Sequence, residues 1–274
     1  MTPRPAPPAP NTVGPLVDAH THLDACGATD AASVGEICDR AAAVGVTRVV
    51  TVADDLASAR WVVTAAEADP RVWAAVALHP TRAASLGTCA RAELEALAGH
   101  PRVVAVGETG LDSYWPGRLQ DCADLATQEE AFRWHIDLAK RVGKPLMIHD
   151  RDAHADVLRV LRAEGAPDTV IFHCFSGDAA MARQCVDAGY VLSFSGTVSF
   201  RNARDLHAAA PLVPDAQLLA ETDAPFLTPH PHRGAPNESY LLPLTVRALA
   251  ALRDQTPEAV AAATTATAER VYRM

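Results

Sequence analysis

The sequence lacks any apolar run near the roughly 20 residues that a membrane-spanning helix needs, and its six cysteines form no CxxC pair. Scattered cysteines of this kind are typical of reduced thiols rather than of a disulfide framework. Residues 1–14 are rich in proline, where a secretory leader would need an apolar core. These absences predict a cytoplasmic protein without membrane attachment.

The sequence has fewer basic than acidic residues. It contains 24 lysines and arginines and 33 aspartates and glutamates, which gives a formal net charge of −9. No global positive field therefore attracts nucleic acid, and a polyanionic substrate would have to be held locally. Two motifs are also missing. Without a GxSxG nucleophile elbow a serine hydrolase is disfavoured, and without GxGxxG after the first predicted strand a Rossmann fold fails.

What the sequence does contain is an alternation of short apolar runs with alanine-rich amphipathic segments, which favours a parallel sheet covered by helices. The predicted strands are 16–20, 48–53, 72–78, 102–108, 145–149, 169–174, 190–196 and 217–222. Helices are predicted between them, and an extra C-terminal helix begins near Pro257. The fold class is therefore α/β, a (β/α)8 TIM barrel. We expect residues 1–14 to form a flexible tail and residues 15–274 a single domain.

Ionisable residues stand where several of these strands stop, and in a barrel that end carries the active site. The six candidates are His20, His22, Glu108, His149, His173 and Asp223. His20 and His22 are two residues apart on one strand, so they share a face and can chelate one ion. Four imidazoles and two carboxylates exceed what one tetrahedral ion needs, and they suit two ions that share a bridging carboxylate.

Such a pair of ions lowers the pKa of a bound water and stabilises the attacking and leaving oxygens of a displacement. Two divalent cations against two ligating carboxylates also leave the pocket attractive to phosphate, although the protein is acidic. Each residue has a structural alternative when taken alone. The histidines are also explained by hydrogen bonding in the core, Glu108 by a turn and Asp223 by a turn before Pro225. Their joint position at the ends of different strands favours the metal site.

Five blocks of sequence, taken together in their order and spacing, resemble the TatD family of metal-dependent deoxyribonucleases in the amidohydrolase superfamily. They are DAHTHLD at 18–24, VGETGLD at 106–112, MIHDRDA at 147–153, IFHCFSG at 171–177, and ETDAPFL at 221–227 with RGAPNES at 233–239. The resemblance runs from about Leu16 to the C-terminus. It implies a (β/α)8 barrel, a two-metal hydrolase site and phosphodiester substrates, usually single-stranded or frayed DNA attacked by a 3′-5′ exonuclease.

The resemblance also implies roles for individual residues. His20, His22, Glu108 and Asp223 would bind the first ion, and Glu108, His149 and His173 the second. Glu108 is then the bridge, and Asp223 is also the proton acceptor when water attacks phosphorus.

Two further residues are expected to touch substrate. Arg151 suits a phosphate clamp, with a surface salt bridge as its alternative, and His79 in the LHP segment is placed to reach substrate. The sequence departs from the family pattern at Ser113, where a tyrosine often stands, and at Asp150, where a small neutral residue is more usual. Asp150 adds negative charge near the expected phosphate path.

Other functions remain open at this stage. A lactonase, phosphotriesterase, amidase or D-aminoacyl-tRNA deacylase could use the same ions on a carbonyl or phosphotriester centre, and a metal-binding scaffold could keep the barrel without turnover. Some amidohydrolases bridge their metals with a carboxylated lysine, but Lys144 lies at the start of its strand, on the wrong face of the barrel. Histidine-rich ligation favours Zn, Mn, Fe or Co over Mg. No obligate protein partner is predicted.

Overall fold

The computed structural model describes residues 4–274, and its centre is an eight-stranded parallel sheet whose strands follow one another in sequence order. The strands are β1 (Leu16–Thr21), β2 (Val46–Val52), β3 (Val72–Val76), β4 (Val103–Asp112), β5 (Leu146–Arg151), β6 (Val170–Phe172), β7 (Val191–Phe194) and β8 (Leu218–Ala220). Each neighbouring pair is parallel. The sheet curls into a nearly closed barrel, which confirms the predicted (β/α)8 fold.

Helices cover the outside of this barrel. They are α1 (Ala31–Ala42), α2 (Leu56–Ala68), α3 (Thr88–Ala98), α4 (Leu125–Val142), α5 (His154–Glu164), α6 (Ala179–Asp187), α7 (Arg204–Ala209), α8 (Leu242–Arg253) and α9 (Pro257–Tyr272). Local chemistry sets their ends: the Asp30 side chain accepts a hydrogen bond from Ser33 N at the start of α1, and Gly143 ends α4 with a left-handed φ of 64°. No helix of residues 4–274 is long and apolar enough to cross a membrane.

The barrel interior is a packed core rather than a channel. Inward-facing residues such as Val50, Ala75 and Ile171 form one buried cluster, to which Val271 and Tyr272 of α9 also belong. The Tyr272 hydroxyl donates to the Ala19 carbonyl at 3.1 Å. Because side chains of α9 belong to this core, the predicted C-terminal helix from Pro257 is part of the barrel domain. The candidate polar residues lie instead at the carboxyl ends of the strands.

The barrel closes between β1 and β8 at a seam, which we define as the contacts of residues 18–22 with residues 222–224. One isolated bridge pairs Thr21 with Ala224, and His22 N donates to Ala224 O at 2.8 Å. The buried Asp18 carboxylate accepts hydrogen bonds from Thr222 N at 2.9 Å and Thr222 Oγ1 at 2.6 Å. A side chain therefore supplies part of the pairing that main-chain bonds supply elsewhere in the sheet.

The proline-rich segment ahead of β1 contacts the barrel domain at several points. The Pro7 carbonyl accepts a hydrogen bond from the Tyr240 hydroxyl at 2.8 Å, and the Asn11 carbonyl accepts one from Arg247 at 3.1 Å. Val13 is buried in the main core. The division at residues 14 and 15 stays a prediction, and residues 1–3 of the predicted tail lie outside the described part of the chain.

Candidate metal centre

The six predicted ligand residues converge at the carboxyl end of the barrel. His20, Glu108 and His149 lie on β1, β4 and β5. His22 and His173 directly follow β1 and β6, and Asp223 comes shortly after the end of β8. The Nε2 atoms of His20 and His22 are 3.2 Å apart. They lie 3.7 and 3.6 Å from Glu108 Oε1, and each is 3.6 Å from Asp223 Oδ1. Both imidazole nitrogens thus lie within 3.7 Å of an oxygen from each of the two carboxylates.

The other oxygen of Glu108 faces a second set of donors. Glu108 Oε2 lies 3.0 Å from His149 Nδ1 and 2.9 Å from His173 Nε2. Close contact between β4 and β5 makes this possible, because a Cβ on Gly110 would lie 2.1 Å from the His149 carbonyl oxygen. Only glycine permits that approach and the φ of 146° at this position. The two carboxylate oxygens of Glu108 are therefore divided between two groups of ligands.

The first set of donors fits a metal ion. In a tetrahedral site with bonds of about 2.1 Å, ligand atoms lie about 3.4 Å from one another, close to the distances between 3.2 and 3.7 Å found here. Burial and the nearby His173 hold the pKa of His20 well below its usual value, which keeps its ring neutral and able to ligate. The residues present therefore match the chemistry of a divalent cation.

The same cluster requires positive charge. Although burial alone would lower it, hydrogen bonding to Asp223 and the charges of Asp54 and Glu108 raise the pKa of His22 to about 10. Burial opposes ionisation of Glu108, but the charge of His173 and hydrogen bonds from His149 and His173 hold its pKa well below the usual range. These carboxylates therefore favour positive charge at the cluster, which divalent cations would supply when bound.

Three hydrogen bonds orient the histidine rings from outside the cluster. His22 Nδ1 donates to the Val52 carbonyl at 3.1 Å, His149 Nε2 to Asp112 Oδ2 at 3.0 Å, and His173 Nδ1 to Glu221 Oε1 at 3.1 Å. Each bond leaves the other ring nitrogen facing the cluster, as in metal sites where a carboxylate or carbonyl orients the ligating histidine. Sequence analysis missed Asp112 and Glu221, although both lie inside its GETGLD and ETD blocks.

Two further groups of donor atoms come within 4.8 Å of one another. One consists of His20, His173 and Asp223, and the other of His79, Asp112 and His149. The first group differs from the predicted assignment, in which His20 and Asp223 bind one ion and His173 binds the other. In the structure, His173 also lies close to Asp223. The rings of His20 and His173 also stack with centroids 3.9 Å apart. The predicted division is therefore one of the groupings that this geometry allows.

His79 lies beside the cluster with a defined tautomer. Thr81 N donates to His79 Nδ1 at 3.2 Å, so the hydrogen of the neutral ring is on Nε2. His79 Nε2 is 3.2 Å from His149 Nδ1. Burial, with the neighbouring His149, lowers the pKa of His79 to about 3. His79 is therefore a neutral hydrogen-bond donor at the edge of the candidate site.

Arg151 is held by aromatic rings. Its guanidinium carbon lies 4.1 Å from the centroid of Tyr114 and 5.4 Å from that of Trp115. Within residues 4–274 its side chain makes neither an ion pair nor a hydrogen bond, so the salt-bridge alternative has no support in the described contacts. Arg82, which sequence analysis missed, lines the same cavity of about 610 Å³ as Arg151 and the histidines.

Of the two departures from the family pattern, Asp150 has a structural explanation. Asp150 Oδ2 lies 2.8 Å from His154 Nδ1, and Asp150 Oδ1 accepts a hydrogen bond from Ala153 N at 3.3 Å. Its carboxylate therefore serves the start of α5 as well as bordering the cavity. Ser113 follows β4, and its backbone N–H donates to the Arg151 carbonyl at 2.9 Å. Any residue except proline can make this bond, so the structure does not explain the serine.

Histidine and carboxylate donors at the carboxyl end of a (β/α)8 barrel, beside a cavity open to substrate, define the class of metal-dependent hydrolases. Comparison with known proteins identifies the family within this class. Residues 17–273 match the family model described as TatD related DNase, and the chain belongs to that family. The resemblance seen in the sequence is thereby confirmed, and the chain is a TatD-family metal-dependent hydrolase.

Individual relatives cover nearly the whole chain. A Mycobacterium tuberculosis protein named "uncharacterized metal-dependent hydrolase TatD" is 71% identical over 94% of this chain and 97% of its own length. A Musicola paradisiaca protein named 3′-5′ ssDNA/RNA exonuclease TatD is 32% identical over 87% of this chain and 91% of its own. The crystal structure of YJJV, a TatD homologue from Escherichia coli K12, matches with a TM-score of 0.86 at 26% identity, covering 94% of this chain and 98% of that one.

Proposed function

We propose that this protein is a two-metal nuclease that removes nucleotides from the 3′ end of single-stranded or frayed DNA. The observation that carries the proposal is the division of the Glu108 carboxylate between two sets of donors. A bridging carboxylate of this kind serves paired ions that act on phosphodiesters. The name of the Musicola paradisiaca relative supports the choice of nucleic acid as substrate.

In this proposal His20, His22, Glu108 and Asp223 bind one ion, and Glu108, His149 and His173 bind the other. Such ions, when bound, lower the pKa of water and stabilise the attacking and leaving oxygens of the displacement. Asp112 and Glu221 hold the rings of His149 and His173 in the orientation that ligation needs. Zn, Mn, Fe, Co and Mg are the candidate metals.

The remaining groups of the cavity position the substrate and accept the proton of the attacking water. Arg151 and Arg82 hold phosphate oxygens with guanidinium groups that make no ion pair or hydrogen bond among residues 4–274. His79 donates a hydrogen bond from Nε2 to a phosphate oxygen and keeps its proton. Asp223 Oδ1 faces His20 and His22, so its Oδ2 accepts the proton from the attacking water.

The proposal is tested by removing metal from the purified protein and restoring each candidate ion singly. We expect activity to rise with the second equivalent of metal per chain, as measured by elemental analysis and by release of nucleotides from single-stranded DNA. Lactones, phosphotriesters and D-aminoacyl-tRNA serve as competing substrates. Full activity at one ion per chain contradicts the two-metal site, and faster hydrolysis of carbonyl esters than of DNA contradicts the nuclease.

Arg151→Ala is expected to lower kcat/KM for single-stranded DNA by roughly 10- to 100-fold, because a charge-assisted hydrogen bond to phosphate contributes about 1.5–3 kcal/mol. Arg151→Lys keeps the charge but not the planar fork, and we expect it to recover only part of the loss. Hydrolysis of a neutral ester by the same variants is the internal comparison. Arg162→Ala, at an exposed position in the last turn of α5, is the matched control. An equal loss on both substrates makes Arg151 a structural residue.

A further inference from the structure

Large apolar side chains that are exposed to solvent are rare in this protein and are concentrated at the candidate site. Within residues 4–274 they are Leu119, Leu125 and Phe226, with exposed fractions of 39%, 43% and 54%. Leu119 and Phe226 line the cavity that contains the histidines, whereas Leu125 begins α4 outside it. Exposed apolar surface inside a polar site indicates an apolar part of the ligand.

The exposure of Phe226 does not come from a loose loop. Its N–H donates to the Asp223 carbonyl at 2.9 Å, and its own carbonyl accepts a hydrogen bond from Asn237 Nδ2 at 2.5 Å. Asn237 is buried and also donates to the Thr222 carbonyl at 3.0 Å. The main chain on both sides of the ring is therefore fixed to the segment that carries Asp223, and the ring is presented to the cavity in a set position.

The ring of Phe226 lies directly beside the cluster of ligand atoms. Its centroid is 6.0 Å from that of His22, and the two rings meet edge to face at 72°. The same cavity contains Arg82 and Arg151. A ligand that combines an anion for the guanidinium groups with a flat apolar group for the phenyl ring therefore fits this cavity. A nucleotide has this combination, because its phosphate and its base are joined through one sugar.

We propose that Phe226 is the surface on which a nucleobase adjoining the scissile phosphate stacks. This inference rests on the proposed nuclease function and names a residue that determines its preference for unpaired ends. A base held in a duplex keeps its stacking and pairing partners, whereas an unpaired base is free to turn onto the ring. Stacking on a phenyl ring tolerates every base, since each base has a π-face.

The test uses the metal-loaded protein and single-stranded oligonucleotides whose 3′-terminal base is either thymine or 5,6-dihydrothymine. The saturated base keeps the hydrogen-bonding groups and the backbone but is no longer flat. We expect the wild-type protein to bind and cleave the thymine substrate roughly 5- to 150-fold better, the range that base–aromatic stacking gives. Dissociation constants are measured on phosphorothioate-linked versions that resist hydrolysis.

Phe226→Ala should abolish the preference by weakening the thymine substrate alone, and Phe226→Trp should restore it. Leu125→Ala, which removes an exposed apolar side chain outside the cavity, should leave both substrates unchanged. Equal treatment of thymine and dihydrothymine by the wild-type protein overturns the stacking role while leaving the nuclease intact. A preference that survives in Phe226→Ala also overturns it. A wild-type protein that cleaves neither oligonucleotide with any metal overturns the nuclease proposal itself.

Discussion

Glu108→Ala is expected to lose at least one of the two ions and nearly all hydrolysis, a fall of roughly 10³-fold or more given that such ions contribute several kcal/mol to the transition state. The reason is that Glu108 is the residue shared by both sets of donors. Its Oε1 lies 3.6 Å from His22 Nε2, and its Oε2 lies 2.9 Å from His173 Nε2. Asp223 also lies within 4.8 Å of His173, but Glu108 is the described carboxylate that forms ion-pair contacts with histidines of both sets.

The measurement combines elemental analysis of the dialysed protein with nucleotide release from single-stranded DNA. Glu108→Gln keeps one oxygen, so we expect it to retain more metal than Glu108→Ala while losing the bridge. Glu36→Ala, an exposed carboxylate on α1, is the control for general effects of charge. Thermal unfolding of the metal-free proteins separates a lost site from a lost fold. A Glu108→Ala protein with two ions per chain and a normal rate contradicts the bridging role.

Asp223→Asn is expected to lower kcat by roughly 10²–10⁴-fold, the usual effect of removing a positioned acid–base group. Asparagine keeps the shape of the side chain and one oxygen for the ion. It also tolerates the left-handed backbone of residue 223, where φ is 51°. The substitution therefore removes the basic oxygen with little expected change in the turn that presents it.

Metal content and KM, measured on the same preparation, distinguish proton transfer from ligation. If Asp223 acts chiefly as the proton acceptor, the ions remain and kcat falls while KM is little changed. If it acts chiefly as a ligand, one equivalent of metal is lost with the activity, and Asp223→Glu recovers metal before rate. An Asp223→Asn protein with both ions and a near-normal kcat rules out Asp223 as the base.

The barrel was predictable because its signals are local. Runs such as Arg48–Ala53 and Arg102–Glu108 are apolar enough to be strands buried on both faces, and alanine-rich helices separate them. Strand ends were less accurate. The fourth strand was predicted to end at Glu108 but continues to Asp112, because Thr109–Asp112 pair with Ile148–Arg151 of β5. Gly107, Gly110 and the polar residues near the end of β4 hide the strand pattern.

The proximity of the candidate ligand residues was predictable from the sequence, whereas the residues that hydrogen-bond to them were not. Histidines at strand ends are recognisable by position alone, and all six predicted ligand residues meet in the structure. Asp112 and Glu221 act through contacts with residues 37 and 48 positions away in the sequence. Arg82 follows His79 in a short 3-10 helix, so its place in the cavity depends on how that turn packs. Such contacts are set by the closed barrel and leave no periodic signal in the sequence.

A metal ion bound at the seam between β1 and β8 would also stabilise the folded barrel. His20 and His22 lie on one side of the seam and Asp223 on the other, and Asp223 N donates to the His20 carbonyl at 3.0 Å. An ion bound by all three residues joins the first strand of the barrel to its last. Because that ion binds only the folded chain, a hundredfold excess over its Kd stabilises the protein by about 2.7 kcal/mol. Divalent metal would then set how long each molecule survives proteolysis in the cell, as well as how fast it turns over substrate.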